Sequence, residues 1–313
     1  MSEIAAVVVA HNSADTIGAC LEGILADPAA RVCVVDNAGD ARTAAICAAL
    51  AGDGRVDYLD PGANLGYARA ANLGLAGLAG AGYVAVVNPD VRLTRTLSDL
   101  IAVADPGSRN VVAGRLASPR DARGVNARPA TTFRREAAKA LLGSRAYRLR
   151  PAPAGTIRPV DQLDGALMVM SASRWRELGG FDERFELYYE DVDLCSRIRA
   201  NGACLLVNAP WGEHVGGHSF QRSSGTAFVA QRVSRVRYAR QWWRPSILSG
   251  AAVFGVTFLE LAVRSLTHQS EGQRTRTRAA RRVLAELHKP GSQTVLIAAP
   301  PPTQTQTPGK NER

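Results

Sequence analysis

The strongest constraint on the fold is an alternation that runs through the first ninety residues. Short, unbroken apolar runs are separated by stretches with helical spacing. Ile4 to Ala10 (IAAVVVA) is such a run and ends in His11-Asn12-Ser13. An apolar run with no polar alternation suits a strand covered on both faces. Asp15 to Asp27 then carries Ile17, Leu21, Ile24 and Leu25 at helical spacing, and Pro28 stops it. A second strand, Val32 to Val35, ends at Asp36-Asn37. Ala41 to Leu50 reads as a helix, Val56 to Leu59 as a third strand and Leu65 to Leu78 as a glycine-containing helix. Tyr83 to Val87 is a fourth strand, ending in Asn88-Pro89-Asp90. Strands alternating with helices at this spacing predict a parallel α/β sheet. A chain of 313 residues can bury one large core, or a core with a helical appendage.

In such sheets ligands bind beyond the carboxyl ends of the strands, which selects His11, Asp36 and Asn88 to Asp90. After the first strand the turn reads HNSADT, without the G-x-G-x-x-G of a dinucleotide site, which argues against a nicotinamide enzyme. Asn88-Pro89-Asp90 supports two readings. It is a good turn sequence. It also sets two oxygen-bearing side chains at i,i+2, where they can share a hard divalent cation with a diphosphate.

Further along, Arg95 to Val103 predicts a helix and Asn110 to Ala113 a short strand. Arg115 to Pro159 is basic and weakly patterned apart from a helix at Phe133 to Leu142, as in a functional loop or a disordered insertion. Order returns at Val160, with Asp164-Gly165-Ala166 leading into a strand at Leu167 to Met170 and a helix at Ala172 to Leu178. The stretch Phe181 to Gly202 holds three carboxylates in four positions, Glu190, Asp191 and Asp193, behind Phe185, Tyr188 and Tyr189. Leu194 and Ile198 predict an amphipathic helix closed at Asn201-Gly202, with the acids in its first turn. Acids there serve a helix start, and Asp193 can pair with Arg197. Adjacent helical residues diverge by about 100°, so one of Glu190 and Asp191 can face a cleft as a general base. Cys204 to Val207 reads as a strand, and Glu213 to Ser219 as a glycine-broken loop holding His214 and His218.

Five cysteines, scattered and without a C-x-x-C pair, read as buried hydrophobes in a reducing cytosol. The net charge of +10 is concentrated late: Arg222 to Arg244 contains six arginines and no acid, and Arg274 to Arg282 adds five more. That distribution predicts an anionic partner, and with no nucleic-acid module signature a membrane surface is favoured. Thr226 to Trp243 predicts a basic helix. Ile247 to Val263 is nearly all apolar but only about 25 Å long as a helix, short for a bilayer core of about 30 Å. Flanking Trp243 and Arg244, with Glu260 inside, fit either a helix in the membrane interface or one packed on the domain or in a dimer. Arg264 to His288 follows as another basic helix, and Pro290 to Arg313 reads as a disordered tail.

Six segments, taken in order, resemble the inverting glycosyltransferases of family two, in the rhamnosyltransferase-like branch. They are VVVAHNSA at 7–14, VVDNAGD at 34–40, NLGYARAAN at 64–72, VNPDV at 87–91, DGALMVMSASRWRELGGFDERFELYYEDVDLCSRIRANG at 164–202 and EHVGGHS at 213–219. The resemblance covers roughly residues 3 to 220. It implies a GT-A nucleotide-diphospho-sugar transferase fold, a mostly parallel central sheet flanked by helices, to which the helical patterning after Ser219 adds a C-terminal extension. The chain then divides into a catalytic domain at 1–222, a basic and amphipathic helical extension at 223–289 and a tail at 290–313.

Residue by residue, the resemblance places Ala10 and His11 under the nucleoside and Asp36 on a pyrimidine N3–H. Asn64 belongs to the nucleotide-sugar site, and Arg69 approaches the base or diphosphate. Asp90 holds Mg²⁺ or Mn²⁺, with Asn88 in the first position of the family's D-x-D, where its neutral amide is the weaker ligand. Asp191 is the general base beside Glu190, Asp164 and Gly165 border the acceptor, and His214 is a likelier metal ligand than His218. The implied activity is transfer of a hexose onto a lipid-linked or growing glycan at the inner face of the cytoplasmic membrane. The preferred donor is dTDP-L-rhamnose. UDP-sugars and a non-catalytic sugar-nucleotide or glycan-binding partner are the alternatives.

Overall fold

The computed structural model describes residues 3–78, 80–118, 126–215 and 224–243. Strand β1 (Ile4–Ala10), helix α1 (Ile17–Leu25), β2 (Ala30–Asp36), α2 (Ala41–Leu50), β3 (Val56–Leu59), α3 (Tyr67–Ala76) and β4 (Tyr83–Val87) follow the alternation expected from the sequence. Parallel ladders join β3 to β2, β2 to β1 and β1 to β4, with Ala10 opposite Asp36. The carboxyl ends of these strands therefore lie along one edge of the sheet.

After β4 the sheet becomes mixed. The chain runs through β5 (Val91–Leu93), α4 (Leu97–Ala104), β6 (Val111–Ala117), β7 (Ala127–Arg128) and α5 (Phe133–Leu142). It continues through β8 (Ile157–Val160), β9 (Gln162–Leu163), β10 (Leu167–Ser171), α6 (Ala172–Leu178), α7 (Glu190–Ile198), β11 (Cys204–His214) and α8 (Ser224–Trp242). The main sheet has nine strands among the described residues, in the order β3-β2-β1-β4-β10-β6-β11-β5, and β8 also pairs with β11. β10 enters antiparallel between β4 and β6.

Two sequence expectations are corrected here. The basic segment Arg115 to Pro159 is not irregular throughout, since it holds the end of β6, all of β7 and most of β8. These strands are too short for a period-2 signal, and Pro159 sits in β8 at an edge, where a missing N–H is tolerated. The strand expected to stop at Val207 runs on to His214 through register shifts at Pro210 and Gly212. Glu213 and His214 therefore belong to a strand; the register shifts interrupt the apolar pattern that would have revealed it.

The core splits across the sheet by residue parity. Ala5, Val7 and Val9 of β1 pack with Ala68, Ala71 and Leu75 of α3, Trp175 of α6 and Leu194 and Ile198 of α7. Ile4, Ala6 and Val8 face Ile17, Leu21 and Ile24 of α1 and Leu97 and Leu100 of α4. Burial on both faces explains the unbroken IAAVVVA run, at about 1.5–3 kcal/mol for each larger side chain. Close approach of α3 depends on Gly74, where a Cβ would fall 2.6 Å from Val7 Cγ2. All five cysteines are buried free thiols, as their scatter suggested.

Helix α8 packs against α7. Tyr238 Oη lies 2.9 Å from Ser196 Oγ, and Trp242 Nε1 and Gln241 Nε2 each donate to Asp193 Oδ1 at 2.9 Å. Arg235 Nη1 donates to buried Glu136 of α5 at 3.2 Å. Arg232 and Arg235 are themselves buried, so part of the basic run faces protein rather than solvent. Among the described residues no helix is long and apolar enough to cross a membrane. The apolar stretch 247–263, the basic segment 264–288, the tail 290–313 and His218 lie outside the described residues.

Candidate active site

The site assembles where the end of β4 meets three segments from later in the chain. The antiparallel β10–β4 ladder pairs Leu167 with Val87, so the residues just before β10 lie beside those just after β4. Asn88 N–H donates to Ala166 O at 3.1 Å and fixes that junction. On the other side, β5 pairs with β11 and sets His214 opposite Val91. His214 Nε2 then stands 3.1 Å from Asp90 Oδ1, although the two residues are far apart in sequence. Burial disfavours a charged imidazole, but the Asp90 hydrogen bond and charge, with Asp164 further off, outweigh it. The His214 pKa lies above its ordinary value as a result.

Tyr67, at the first position of α3, ties the junction together. Its hydroxyl is 2.9 Å from Asn88 Oδ1 and 3.2 Å from Gly165 O, two acceptors competing for one proton. Burial, followed by the charges of Glu190, Asp191 and Asp90, pushes the phenol well above its usual range, so it stays a neutral donor. The preceding Gly66 has φ +79°, and a Cβ there would lie 2.6 Å from Glu186 O. Only a residue without a side chain lets the NLGY turn sit against the segment that leads into α7.

That segment carries the acids. Tyr188 and Tyr189 both adopt positive φ, 66° and 72°, immediately before Glu190. Left-handed backbone costs about 1–2 kcal/mol per non-glycine residue. The strain is held by packing: the Tyr189 ring lies tilted against that of Tyr238, their centroids 5.5 Å apart. It sets the rotation at which α7 begins, and the three acids diverge. Asp193 is fully buried and taken up by Arg197 Nε at 2.8 Å, as the i,i+4 spacing suggested, and by Gln241 and Trp242. Glu190 is buried with one oxygen lacking a hydrogen-bond partner; burial and then Asp191 hold its carboxyl well above the usual range.

Asp191 is half-buried and turns toward Gly165. Its Oδ2 accepts the Gly165 N–H at 3.0 Å, and its Oδ1 accepts the Val192 N–H at 2.8 Å. Burial and Asp164 raise its pKa, while Arg128 and the two N–H donors oppose that rise. Arg128 was missed in the sequence. It sits on the two-residue β7, its Nε donates to Asp164 Oδ1 at 2.9 Å, and no local pattern marks it. Tyr67 lay inside a quoted motif, but its reach to Asn88 could not be read from it.

The nucleoside side is less convergent. Ala10 is fully buried at the end of β1, and the nearby His11 has a buried Nδ1 with no hydrogen-bond partner. Asp36 turns into its own loop, accepting from Ala38 N at 3.0 Å, Asp40 N at 2.9 Å and Tyr58 Oη at 3.1 Å. Asn64 Oδ1 accepts Gly66 N–H at 2.9 Å and so shapes the turn before α3. Arg69 lies about 200° around α3 from Tyr67 and donates to Glu183 Oε2 at 3.1 Å.

No group of three or more His, Cys, Asp or Glu side chains suited to a metal occurs among the described residues. The Asp90–His214 pair nevertheless suits an ion completed by substrate. Two donors each about 2.1 Å from one cation, in adjacent positions, stand about 3 Å apart. Mg²⁺ sites commonly use one or two carboxylates plus phosphate oxygens and water.

The model of the family described as Glycosyl transferase family 2 matches residues 5–160. The N-acetylglucosaminyl-diphospho-decaprenol L-rhamnosyltransferase of Mycobacterium tuberculosis is 34% identical over 220 residues, covering 60% of this chain and 69% of that protein. The low-salt glycan biosynthesis hexosyltransferase Agl10 of Haloferax volcanii is 24% identical over 234 residues, 71% of each chain. Among solved structures, GalNAc-T7 with UDP, GalNAc and Mn²⁺ superposes with a TM-score of 0.60 at 13% identity, over 92% of this chain and 56% of that one. The mannosyltransferase PcManGT from Pyrobaculum calidifontis, in complex with GDP-Man and Mn²⁺, gives 0.51 at 17% identity, over 91% and 86%. This chain thus spans little more than half of GalNAc-T7, and at these identities the two structures establish the GT-A fold alone.

Proposed function

The chain belongs to glycosyl transferase family 2, as a hexosyltransferase of its rhamnosyltransferase-like branch, and from that premise we propose that it is an inverting enzyme with Asp191 as general base. The observation that carries this reading is the isolation of Asp191 from its two neighbouring acids. Asp193 is consumed by structural hydrogen bonds and Glu190 is buried. Asp191 faces the junction of β4 and β10, and each of its oxygens keeps a lone pair beyond the backbone N–H it accepts.

In the proposed reaction an acceptor hydroxyl gives its proton to Asp191. Its oxygen bonds to the anomeric carbon from the face opposite the leaving group. The bond from that carbon to the diphosphate oxygen breaks, and the nucleoside diphosphate departs with the electron pair. Asp90 and His214, with Asn88 beside them, would hold a divalent cation against the diphosphate. Such an ion, Mg²⁺ or Mn²⁺, supplies Lewis-acid stabilisation of the charge growing on the leaving group. Tyr67 keeps Asn88 in register with the base through Gly165, and the Gly165 N–H orients Asp191.

The preferred donor is dTDP-L-rhamnose, on the branch resemblance, and the preferred acceptor a polyprenyl-diphospho-sugar, on the strength of the mycobacterial relative's name. A site built for such an acceptor belongs at the inner face of a membrane, which a basic C-terminal extension would favour through anionic lipid. Nucleoside diphosphate release by the purified chain, with Mg²⁺ or Mn²⁺, across a nucleotide-sugar panel and with polyprenyl-diphospho-N-acetylglucosamine as acceptor, tests this. Turnover with one donor that vanishes in Asp191→Asn is the expected result. Donor binding without turnover in every combination would favour a sugar-nucleotide-binding partner instead.

A further inference from the structure

We propose that Arg128 and Asp164 form a positioning pair for Asp191, orienting the base and setting the pH range in which it accepts a proton. The proposal rests on the reading of Asp191 as the base. It starts from two consecutive residues with different tasks. The Asp164 side chain is held by Arg128, whose Nε donates at 2.9 Å and whose Nη2 meets the same Oδ1. The next residue, Gly165, gives its N–H to Asp191 Oδ2 at 3.0 Å. Whatever holds Asp164 therefore also holds the donor that orients the base.

Backbone pairing fixes the arrangement. Arg128 lies opposite Gln162 and Ala127 opposite Leu163 in the β7–β9 ladder, and Asp164 N–H donates to Asn126 O at 2.9 Å as its next rung. The apolar residues of this small sheet, Ala127 and Leu163, are buried in the core, but Arg128 and Asp164 stand outside it. Its ion pair is also half-exposed, with side-chain exposures of 44% for Arg128 and 30% for Asp164, so it adds little to stability. Its field acts on the group beside it.

Several charged or titratable groups face Asp191. Glu190 and Cys195 come from its own helix, Tyr67 from α3, Asp164 from the segment before β10 and Arg128 from β7. Asp164 and Arg128 act on it with opposite sign. Removing Arg128 leaves Asp164 as an uncompensated negative neighbour, and removing the Asp164 charge leaves Arg128 as an uncompensated positive one. The two substitutions must therefore move the base in opposite directions, which loss of a merely structural contact would not do.

The test is the pH profile of kcat/KM for the 313-residue chain, with dTDP-L-rhamnose and polyprenyl-diphospho-N-acetylglucosamine, in Arg128→Gln, Arg128→Lys and Asp164→Asn. In Arg128→Gln the acid limb is expected to move up by on the order of one pH unit, and in Asp164→Asn it moves down. Arg128→Lys stays near wild type. Limbs that do not move, or that move the same way in both variants, overturn the proposal. A readout without substrates runs in parallel: unfolding midpoints against pH for each variant, with and without Asp191→Asn. Because the folded value of Asp191 is raised, the Asn variant gains stability relative to Asp as pH rises from the unfolded to the folded value. That window should extend to higher pH in Arg128→Gln and contract in Asp164→Asn. Full turnover in Asp191→Asn would instead remove the base reading itself. Loss of turnover there with unmoved limbs and windows would remove only the positioning pair.

Discussion

The Gly165 N–H donates to Asp191 Oδ2 at 3.0 Å, so a backbone group just before β10 fixes the side chain at the start of α7. An ionised carboxylate held by backbone donors is pre-oriented and needs no rearrangement as it takes a proton. The same donors stabilise its charged form against burial and Asp164, which push its pKa up.

Asp191→Asn should therefore lower kcat by about 10²–10⁴-fold, the usual contribution of a general base, with donor affinity nearly unchanged. In the wild type kcat/KM should fall tenfold per pH unit on the acid side, since protonation disables the base. The midpoint of that fall should be displaced upward from the ordinary aspartate value, because the Asp191 pKa is raised. Steady-state rates from pH 4 to 9 and equilibrium donor binding check both.

Glu190→Gln should stabilise the fold at neutral and alkaline pH. Burial and Asp191 raise the Glu190 pKa, so the folded chain binds that proton more tightly than the unfolded one. Wild-type stability is then lost as pH rises from the unfolded value toward the raised folded value. The Gln variant should unfold a few degrees higher at pH 8 and about equally at pH 4, measured by thermal melts.

Tyr67→Phe removes the hydroxyl that joins Asn88 to Gly165. A stability loss of about 1 kcal/mol is expected from denaturant midpoints. A roughly tenfold drop in kcat should accompany it, because the two halves of the site lose their common tie. Equal kcat with lowered stability would make the phenol a structural group only.

His214→Ala should raise the concentration of Mn²⁺ or Mg²⁺ needed for half-maximal turnover by on the order of 10- to 100-fold. Its imidazole stands 3.1 Å from Asp90 and would share the ion. Chelator-treated wild type should lose activity and recover it on metal addition. An unchanged requirement in the variant would mean that His214 only orients Asp90.

Arg235→Met should destabilise the chain by about 1.5–3 kcal/mol, because it takes a charged hydrogen bond from Glu136, which is buried between α5 and α8 and left with the Tyr147 hydroxyl and Lys139. The double change Arg235→Met with Glu136→Leu should recover much of that loss, which urea unfolding would measure. The same contacts predict that a chain cut at residue 222 loses cooperative unfolding, since Asp193 would be left without Gln241 and Trp242.

The sequence by itself determined the parallel half of the sheet. Burial on both faces forces β1, β2 and β4 to be unbroken apolar runs, and that signal is local, as are the i,i+4 pairing of Asp193 with Arg197 and the acidic first turn of α7. The family resemblance also brought Asp90, Asp191, Asp164 and His214 to notice and made Asp191 the expected base, but it could not say how the three acids of α7 are held. Only the tertiary structure decided that, through the strained backbone of Tyr188 and Tyr189, which sets where α7 begins to turn. It likewise decided that His214 ends a strand beside Asp90 and that Arg128, from a segment without pattern, reaches Asp164. Those placements come from pairings between distant segments, β5 with β11 and β7 with β9, whose partners leave no periodic trace in either strand alone.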